Sequence, residues 1–414
     1  MPDTRLIRPT YAKGFRCIGP ACEETCCVGW NVPVDQASYE KYQTLPAGPL
    51  RTLIDTHILR APEEQAASQP GIFAWINLPR SLACPFLNEA RLCQIQVEHG
   101  ESYLCHTCAT FPRTSYTIDS MQETTLTLSC PEAARLVLAN LDHCKTGSHE
   151  EYSVTWNKAG KNTPSLRNYF WAIREFAITL IRNRRYPLWQ RMFLLGTFSR
   201  RLEALVHGEV ERGFPALLSD FSAAVASGSL RAKIETIPAD LALQLTMVME
   251  LAKLGAKSVP CSPRLGETLR AFLQGIEHGN PVSLEGQCAE YAVAYQSFYA
   301  PFFLKHPHIL ENLLINMILR KLFPFGLKLF DPAATPEPAK EFALLATEFA
   351  LLKGLLIGVA GCYREAFSIE HVVQTVQIAT KHFEHNTGFL PKAHALLAER
   401  DLDNARGLTM LLRN

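Results

Sequence analysis

No charge of one sign dominates this chain: 41 Lys and Arg face 40 Asp and Glu, for a net charge of +1 with histidine neutral. Neither nucleic acid nor an anionic membrane surface is an expected partner, because no excess of charge would draw one in. The opening Met1-Pro2-Asp3-Thr4-Arg5 leads into no apolar run and no small-residue cleavage site, so a secretory leader is not expected and a cytoplasmic location is. Long apolar runs are also scarce. The longest, Phe342 to Ala360, is interrupted by Glu348 and Lys353, which predicts a buried core helix and no membrane span. A Walker A phosphate loop, a Gly-x-Ser-x-Gly nucleophile turn and a His-Glu-x-x-His zinc helix are all missing. Nor is there a repeat of fixed period, or an alternation of strands and helices that would build a doubly wound sheet.

Cysteine is what the chain has in quantity, thirteen in 414 residues. An odd number excludes complete internal pairing, and a reducing compartment disfavours structural disulfides. Ten cysteines lie between Cys17 and Cys144, and only Cys261, Cys288 and Cys362 follow. That asymmetry divides the chain into a cysteine-rich metal-binding region (1–145), a polar connecting segment (146–164) and a helical domain (165–414). In the last of these, Leu166, Tyr169, Phe170, Ile173, Phe176, Ala177 and Leu180 recur at helical spacing. Similar patterns predict helices over 187–207, 214–227, 238–254, 263–277, 284–304, 308–323, 337–363, 368–386 and 391–400. The expected fold class is mainly α: an irregular cysteine-rich metal-binding N-terminal region packed on an all-helical C-terminal region.

The candidate metal ligands are Cys17, Cys22, Cys26 and Cys27 in one short loop, then Cys84 and Cys93, then Cys105 and Cys108. The Cys105-His106-Thr107-Cys108 unit is the tightest of these, because two intervening residues let both thiolates point at one metal. Cys130-Pro131 closes the constellation. Four thiolates suit a tetrahedral zinc ion or an iron–sulfur cluster, and spacing leaves the two open. Adjacent Cys26 and Cys27 are not expected to bind one metal atom together, since successive side chains diverge. More thiols are present than one four-thiolate site needs, so either two sites exist or some cysteines are packed, free or redox active.

Weaker signals have plainer readings. His99 and His106 stand near the thiols and read as hydrogen-bond partners or surface residues. Arg182, Arg184, Arg185, Arg191, Arg200 and Arg201 read as a solvated basic face, and Gly354, Gly358 and Gly361 as small residues for close helix packing. Phe383-Glu384-His385-Asn386 reads as a polar helix end, although a Glu and His pair can exchange protons. No catalytic residue and no cofactor-binding residue are assigned.

Taken together, Cys17 through Cys27 with Gly29-Trp30, Cys84-Pro85-Phe86-Leu87, Cys93, and Cys105 through Phe111-Pro112-Arg113 resemble the bacterial flagellin lysine N-methylases. Tyr186-Pro187-Leu188-Trp189-Gln190-Arg191, Glu311-Asn312-Leu313-Leu314, Leu322-Phe323-Pro324-Phe325 and Phe383-Glu384-His385-Asn386 extend the resemblance over most of the chain. It implies a protein-lysine N-methyltransferase that uses S-adenosylmethionine on surface lysines of flagellin and carries a [4Fe-4S] cluster, with zinc as the alternative metal. The rival expectation is a non-catalytic zinc- or iron-binding or metal-delivery protein. The radical S-adenosylmethionine spacing Cys-x-x-x-Cys-x-x-Cys is not completed, because Gly29 stands where its third cysteine would fall.

Overall fold

A computed structural model describes residues 5–7, 9–30, 32–64, 71–79, 83–119, 121–141, 165–206, 208, 210–256, 262–279, 283–384, 386 and 388–414. The expected connecting segment, Cys144, Cys261 and His385 lie outside the described residues.

Where the sequence led us to expect irregular chain, the first third carries two small sheets. In chain order its elements are β1 (Arg5–Ile7), α1 (Thr10–Gly14), β2 (Val32–Val34), α2 (Gln36–Gln43), α3 (Pro49–His57), β3 (Ile58–Arg60), β4 (Ala74–Ile76), α4 (Gln94–His99), α5 (His106–Thr110), β5 (Arg113–Ile118), β6 (Met121–Leu126) and α6 (Pro131–Leu138). One sheet has the order β1-β6-β5, with β1 parallel to β6 and β5 antiparallel to it; the other, β2-β4-β3, is antiparallel throughout. Three-residue strands are too short for a period of two to register in a sequence. The longer β6 hides its period for another reason: it is the central strand, and Glu123, Thr124, Thr125 and Leu126 are all buried on it.

From residue 166 onward the described chain is helical. The helices are α7 (Phe170–Arg182), α8 (Leu188–Ala204), α9 (Val210–Ser227), α10 (Arg231–Glu235), α11 (Leu241–Ala256), α12 (Pro263–Ile276), α13 (Leu284–Ala294), α14 (Ala300–Lys305), α15 (His308–Arg320), α16 (Pro338–Tyr363), α17 (Ile369–Ala379), α18 (Phe389–Ala398) and α19 (Ala405–Leu412). Two expected helices are interrupted by a π-helical turn: Tyr295–Tyr299 joins α13 to α14, and Thr380–Glu384 extends α17. The sequence patterns missed α19, which is capped where the Asn404 side chain accepts from the amides of Arg406 and Gly407.

The centre of the bundle is α16, surrounded by α8, α11, α12, α13, α17, α18 and α19. It is long and apolar enough to cross a membrane by length and composition, yet 89% of its most apolar stretch is buried by protein. Close crossing of α12 and α16 depends on glycine. A Cβ at Gly275 would lie 1.8 Å from the Gly358 carbonyl oxygen, and one at Gly361 2.7 Å from that of Gly275.

Apolar burial separates two cores. The smaller gathers Val32, Val34, Tyr42, Ile54, Ile58, Ile76, Phe86, Ile95 and Cys105 around the β2-β4-β3 sheet. The larger joins the helices to Tyr11, Phe15, Leu126, Ala133 and Val137 from the first third. The β1-β6-β5 sheet, α1 and α6 therefore pack as part of the helical body. A buried bidentate ion pair crosses the same boundary: Arg174 on α7 meets Glu123 on β6 at 2.7 Å through both guanidinium nitrogens, each side chain 1% exposed. One of the arginines expected on a solvated face serves inside instead: the buried Arg191 reaches Glu311 at 2.7 Å, where the exposed Arg184 also meets it at 2.7 Å.

Candidate functional site: two groups of thiols at a seam

Three of the four cysteines on the small core sit at the starts of short elements, and the fourth, Cys108, lies within α5. Cys93 precedes α4 and Cys105 precedes α5, while Cys84 opens a turn in which the Leu87 amide donates to its carbonyl at 3.1 Å. Starting an element leaves free amides pointing back along the chain. The Phe86 amide faces the Cys84 sulfur, those of Ile95 and Gln96 face Cys93, and those of Thr107 and Cys108 face Cys105. Amides aimed at sulfur stabilise thiolate, and hydrogen bonds to sulfur tune metal–thiolate centres. The Cys105 unit is fixed by Asp35, which caps α2 by accepting from Ser38 at 2.9 Å and also accepts from the His106 amide at 2.9 Å.

Cys27 joins this inner group. Its carbonyl accepts from the Cys84 amide at 2.7 Å, beside an antiparallel bridge between Val28 and Ala83. Its thiol acts electrostatically on Cys84, Cys93 and Cys108, and Cys93 and Cys105 act on their neighbours in the same way. Cys84, Cys93, Cys105 and Cys108 thus pack on the small core, and Cys27, whose carbonyl is bonded to the Cys84 amide, lies near enough to act on three of them.

Cys17, Cys22, Cys26 and Cys130 form an outer group. Cys17 acts on Cys22, Cys26 and Cys130, and Cys22 acts on Cys130. Cys17 and Cys26 are exposed and Cys22 is half-buried. Between Cys17 and Cys22 the chain turns back through Gly19, whose φ of 56° favours glycine. Cys130 stands at the N-terminus of α6, faced by the amides of Glu132 and Ala133, and belongs to the large core. The sequence placed Cys130-Pro131 at the end of the constellation but did not rank Cys130 with the ligands.

The loop that carries Cys22 to Cys27 is stapled to the helical body by its two acids. Glu23 meets Arg135 of α6 at 2.7 Å, and Glu24 meets Lys381 at 2.5 Å and Arg264 of α12 at 3.5 Å. Lys381 lies in the π-helical turn after α17 and also donates to the Thr25 carbonyl at 3.4 Å. No sequence signal could have found these partners, which lie more than a hundred residues apart.

Sulfur is the right donor for zinc or for iron–sulfur chemistry, and both groups are rich enough in it to fit. Among the described residues, no three Cys, His, Asp or Glu side chains stand at ligating distance of a common point. The thiols instead pair. A hydrogen bond from Cys26 lowers the pKa of Cys27, helped by Thr25 and the Lys381 charge and opposed by burial, while the same bond raises Cys26. Cys105 is lowered by its bond with Cys108, which is raised. Burial pushes Cys84 up to about 12 and Cys130 to about 11, so metal would have to displace protons from them.

The remaining candidates have ordinary roles. The His99 ring lies 5.0 Å from that of Tyr103, and the exposed His106 contributes its backbone amide to Asp35. Phe383 is buried and stacked on Phe389 at 5.1 Å, while Asn386 accepts from the Gly388 amide at 3.1 Å. His382, one residue before that motif, is buried with its Nε2 2.8 Å from the Ser262 hydroxyl; burial and the neighbouring Lys381 charge lower its pKa to about 4.

Known proteins resemble this chain in sequence along nearly its whole length. Two lysine-N-methylases, of Salmonella typhimurium and Salmonella choleraesuis, are 23% and 22% identical to it over 404 residues, 95% of this chain and 95% of each relative. The flagellar biosynthetic protein FliU of Salmonella muenchen is 29% identical over 179 residues, 43% of this chain and 98% of that protein. No solved structure matches. A profile of the FliB lysine N-methylase C-terminal domain matches residues 174–411, α7 through most of α19 and more than half of the chain, and the chain belongs to that family.

Proposed function

We propose that this protein is a cytoplasmic methyltransferase that moves methyl groups from S-adenosylmethionine to the ε-amino groups of surface lysines of flagellin. A [4Fe-4S] cluster held by N-terminal cysteines, with zinc as the alternative metal, completes the proposed enzyme. The observation that carries the reading is the extent of the likeness. It runs over 95% of the chain in relatives named lysine-N-methylase, so it takes in the segment that bears the thiols as well as the helical body. The name FliU for a flagellar biosynthetic relative supports a flagellar substrate.

S-adenosylmethionine, when bound, supplies a methyl group on a positively charged sulfur that a neutral amine can displace. The protein's part is then to deprotonate, align and desolvate the substrate lysine. Such displacement does not itself require iron, so the metal in this reading positions or holds what the helical body must act on. Incubating the full-length, metal-loaded protein with flagellin and S-adenosylmethionine labelled in its methyl group tests the proposal. Label recovered on flagellin lysines supports it. Unlabelled flagellin together with release of metal to an acceptor protein would favour a metal-delivery role instead.

A further inference from the structure

We infer that the groove between α8, α10 and the start of α19 docks an acidic segment of the protein substrate, gripped through Arg200, Arg201, Lys233 and Arg406. This rests on the reading that the chain modifies another protein, and it adds how that protein is held.

One face of α8 builds the first wall. Phe193, Thr197, Arg200, Arg201 and Ala204 line the groove at helical spacing, on the side of α8 turned away from the buried Met192, Leu195, Ser199 and Leu202. Lys233 comes from α10, and Asn404, Ala405 and Arg406 come from the cap and first turn of α19. The three elements are fixed to one another. α8 packs on α19, while Glu235 of α10 accepts from Gln190 of α8 and pairs at 3.2 Å with Arg413, which follows α19. The groove is thus built into the helical body, with a volume of about 440 Å³.

Charge names the class of ligand. All four cations are exposed; among the described residues, no carboxylate lines the groove and none of the four forms an ion pair. Arg201 lies over the Phe221 ring at 5.4 Å, which steadies its guanidinium. The acids closest in sequence are engaged elsewhere. Glu203 accepts from the Ala339 amide at 2.8 Å, Asp403 faces His394 at 3.9 Å, and Asp401 accepts from the Asn404 side chain at 3.3 Å. A surface that served solubility alone would intersperse both signs. On a chain of net charge +1, four unopposed cations in one concavity are a local excess that an anion neutralises.

Shape chooses among anions. Small-molecule sites bury most of their ligand, whereas these side chains stand exposed around an open groove. A nucleic-acid strand is held by cations along its backbone, and a net charge of +1 supplies no extended basic field. An acidic peptide matches both features. The arginines present planar forks that pair with carboxylates two bonds at a time, and Phe193 and Ala204 offer contact to the apolar side chains between them.

The test uses the full-length protein and fluorophore-labelled octaglutamate as probe, followed by anisotropy at low salt. Wild type binds the probe, and added salt weakens the complex. Removing two cations in Arg200→Ser with Arg406→Ser lowers the affinity about tenfold, whereas Arg200→Lys with Arg406→Lys retains most of it. In methyl transfer the serine pair raises KM for flagellin by a similar factor and leaves kcat and KM for S-adenosylmethionine unchanged. Arg200 and Arg406 are exposed, so the variants melt as wild type does. Equal probe affinity or equal KM for flagellin in wild type and the serine pair overturns the inference. So does an equal loss in a Lys13→Ser, Lys305→Ser control, whose exposed lysines lie outside the groove, or tighter binding of a single-stranded oligonucleotide of the same charge. Groove-dependent capture of both octaglutamate and flagellin by a protein that never labels flagellin leaves the docking site standing and removes methyl transfer.

Discussion

The two cores of this molecule solve the problem of stability by different means. The helical body packs its helices around α16 and neutralises buried charges in pairs such as Arg174–Glu123 and Arg191–Glu311. The thiol lobe has a handful of buried apolar side chains, strands of three residues, and most of its cysteines at the starts of turns. Small cores seldom suffice alone, and metal is one of the usual supplements. The lesson is that the body should stand without metal and the lobe should not.

Stripping metal gives the widest separation. Thiolate-metal binding contributes on the order of 10 kcal/mol to small metal-organised folds. Chelation should accelerate amide exchange across 84–108 to the unprotected limit and leave α16 slow. Equal protection of both regions in metal-free protein would erase the distinction between them.

Breaking the body requires removing one partner of a buried charge. Glu123→Gln leaves the Arg174 guanidinium without its carboxylate in a site 1% exposed, and should cost about 3–5 kcal/mol of global stability in denaturant titration. The inner thiols should keep their metal in that variant under native conditions. A loss below 1 kcal/mol would mean that water reaches the site.

At the seam, His382 couples stability to pH. Its imidazole is buried neutral with a pKa lowered to about 4 from an ordinary 6.5, so the unfolded chain binds the extra proton first as pH falls. The contribution is fully present above pH 6.5 and is lost progressively toward pH 4, about 3 kcal/mol in all. His382→Gln should flatten thermal melting temperature against pH across that window; an unchanged slope would assign the acid sensitivity to other groups.

The smallest effect belongs to the staple itself. Glu24→Gln weakens the contacts with Lys381 and Arg264 and should cost about 1–2 kcal/mol, confined to the seam. Exchange should quicken in residues 17–27 and stay unchanged in α16. Uniform quickening would show that lobe and body unfold as one.

Periodicity read the helices well. Expected spans 263–277 and 337–363 emerge as Pro263–Ile276 and Pro338–Tyr363, because proline starts each one and a wide apolar stripe fills it. The π-helical turns within the spans expected at 284–304 and 368–386 were invisible, since one extra residue per turn barely disturbs an apolar stripe. Gly358 and Gly361 could be read as small residues for close packing, but only the α12–α16 crossing shows that the backbone they meet is that of Gly275.

The sequence by itself determined that the chain is mainly helical after residue 165, that α16 is a core helix and that sulfur is concentrated at one end, because spacing and composition are local properties. Only the tertiary structure decided that α6 and the β1-β6-β5 sheet serve the helical core, that Glu24 finds Lys381, and that the Cys26 and Cys27 thiols hydrogen-bond to each other. Those outcomes depend on which distant segments are brought together, and contact across hundreds of residues leaves no periodic trace in the chain.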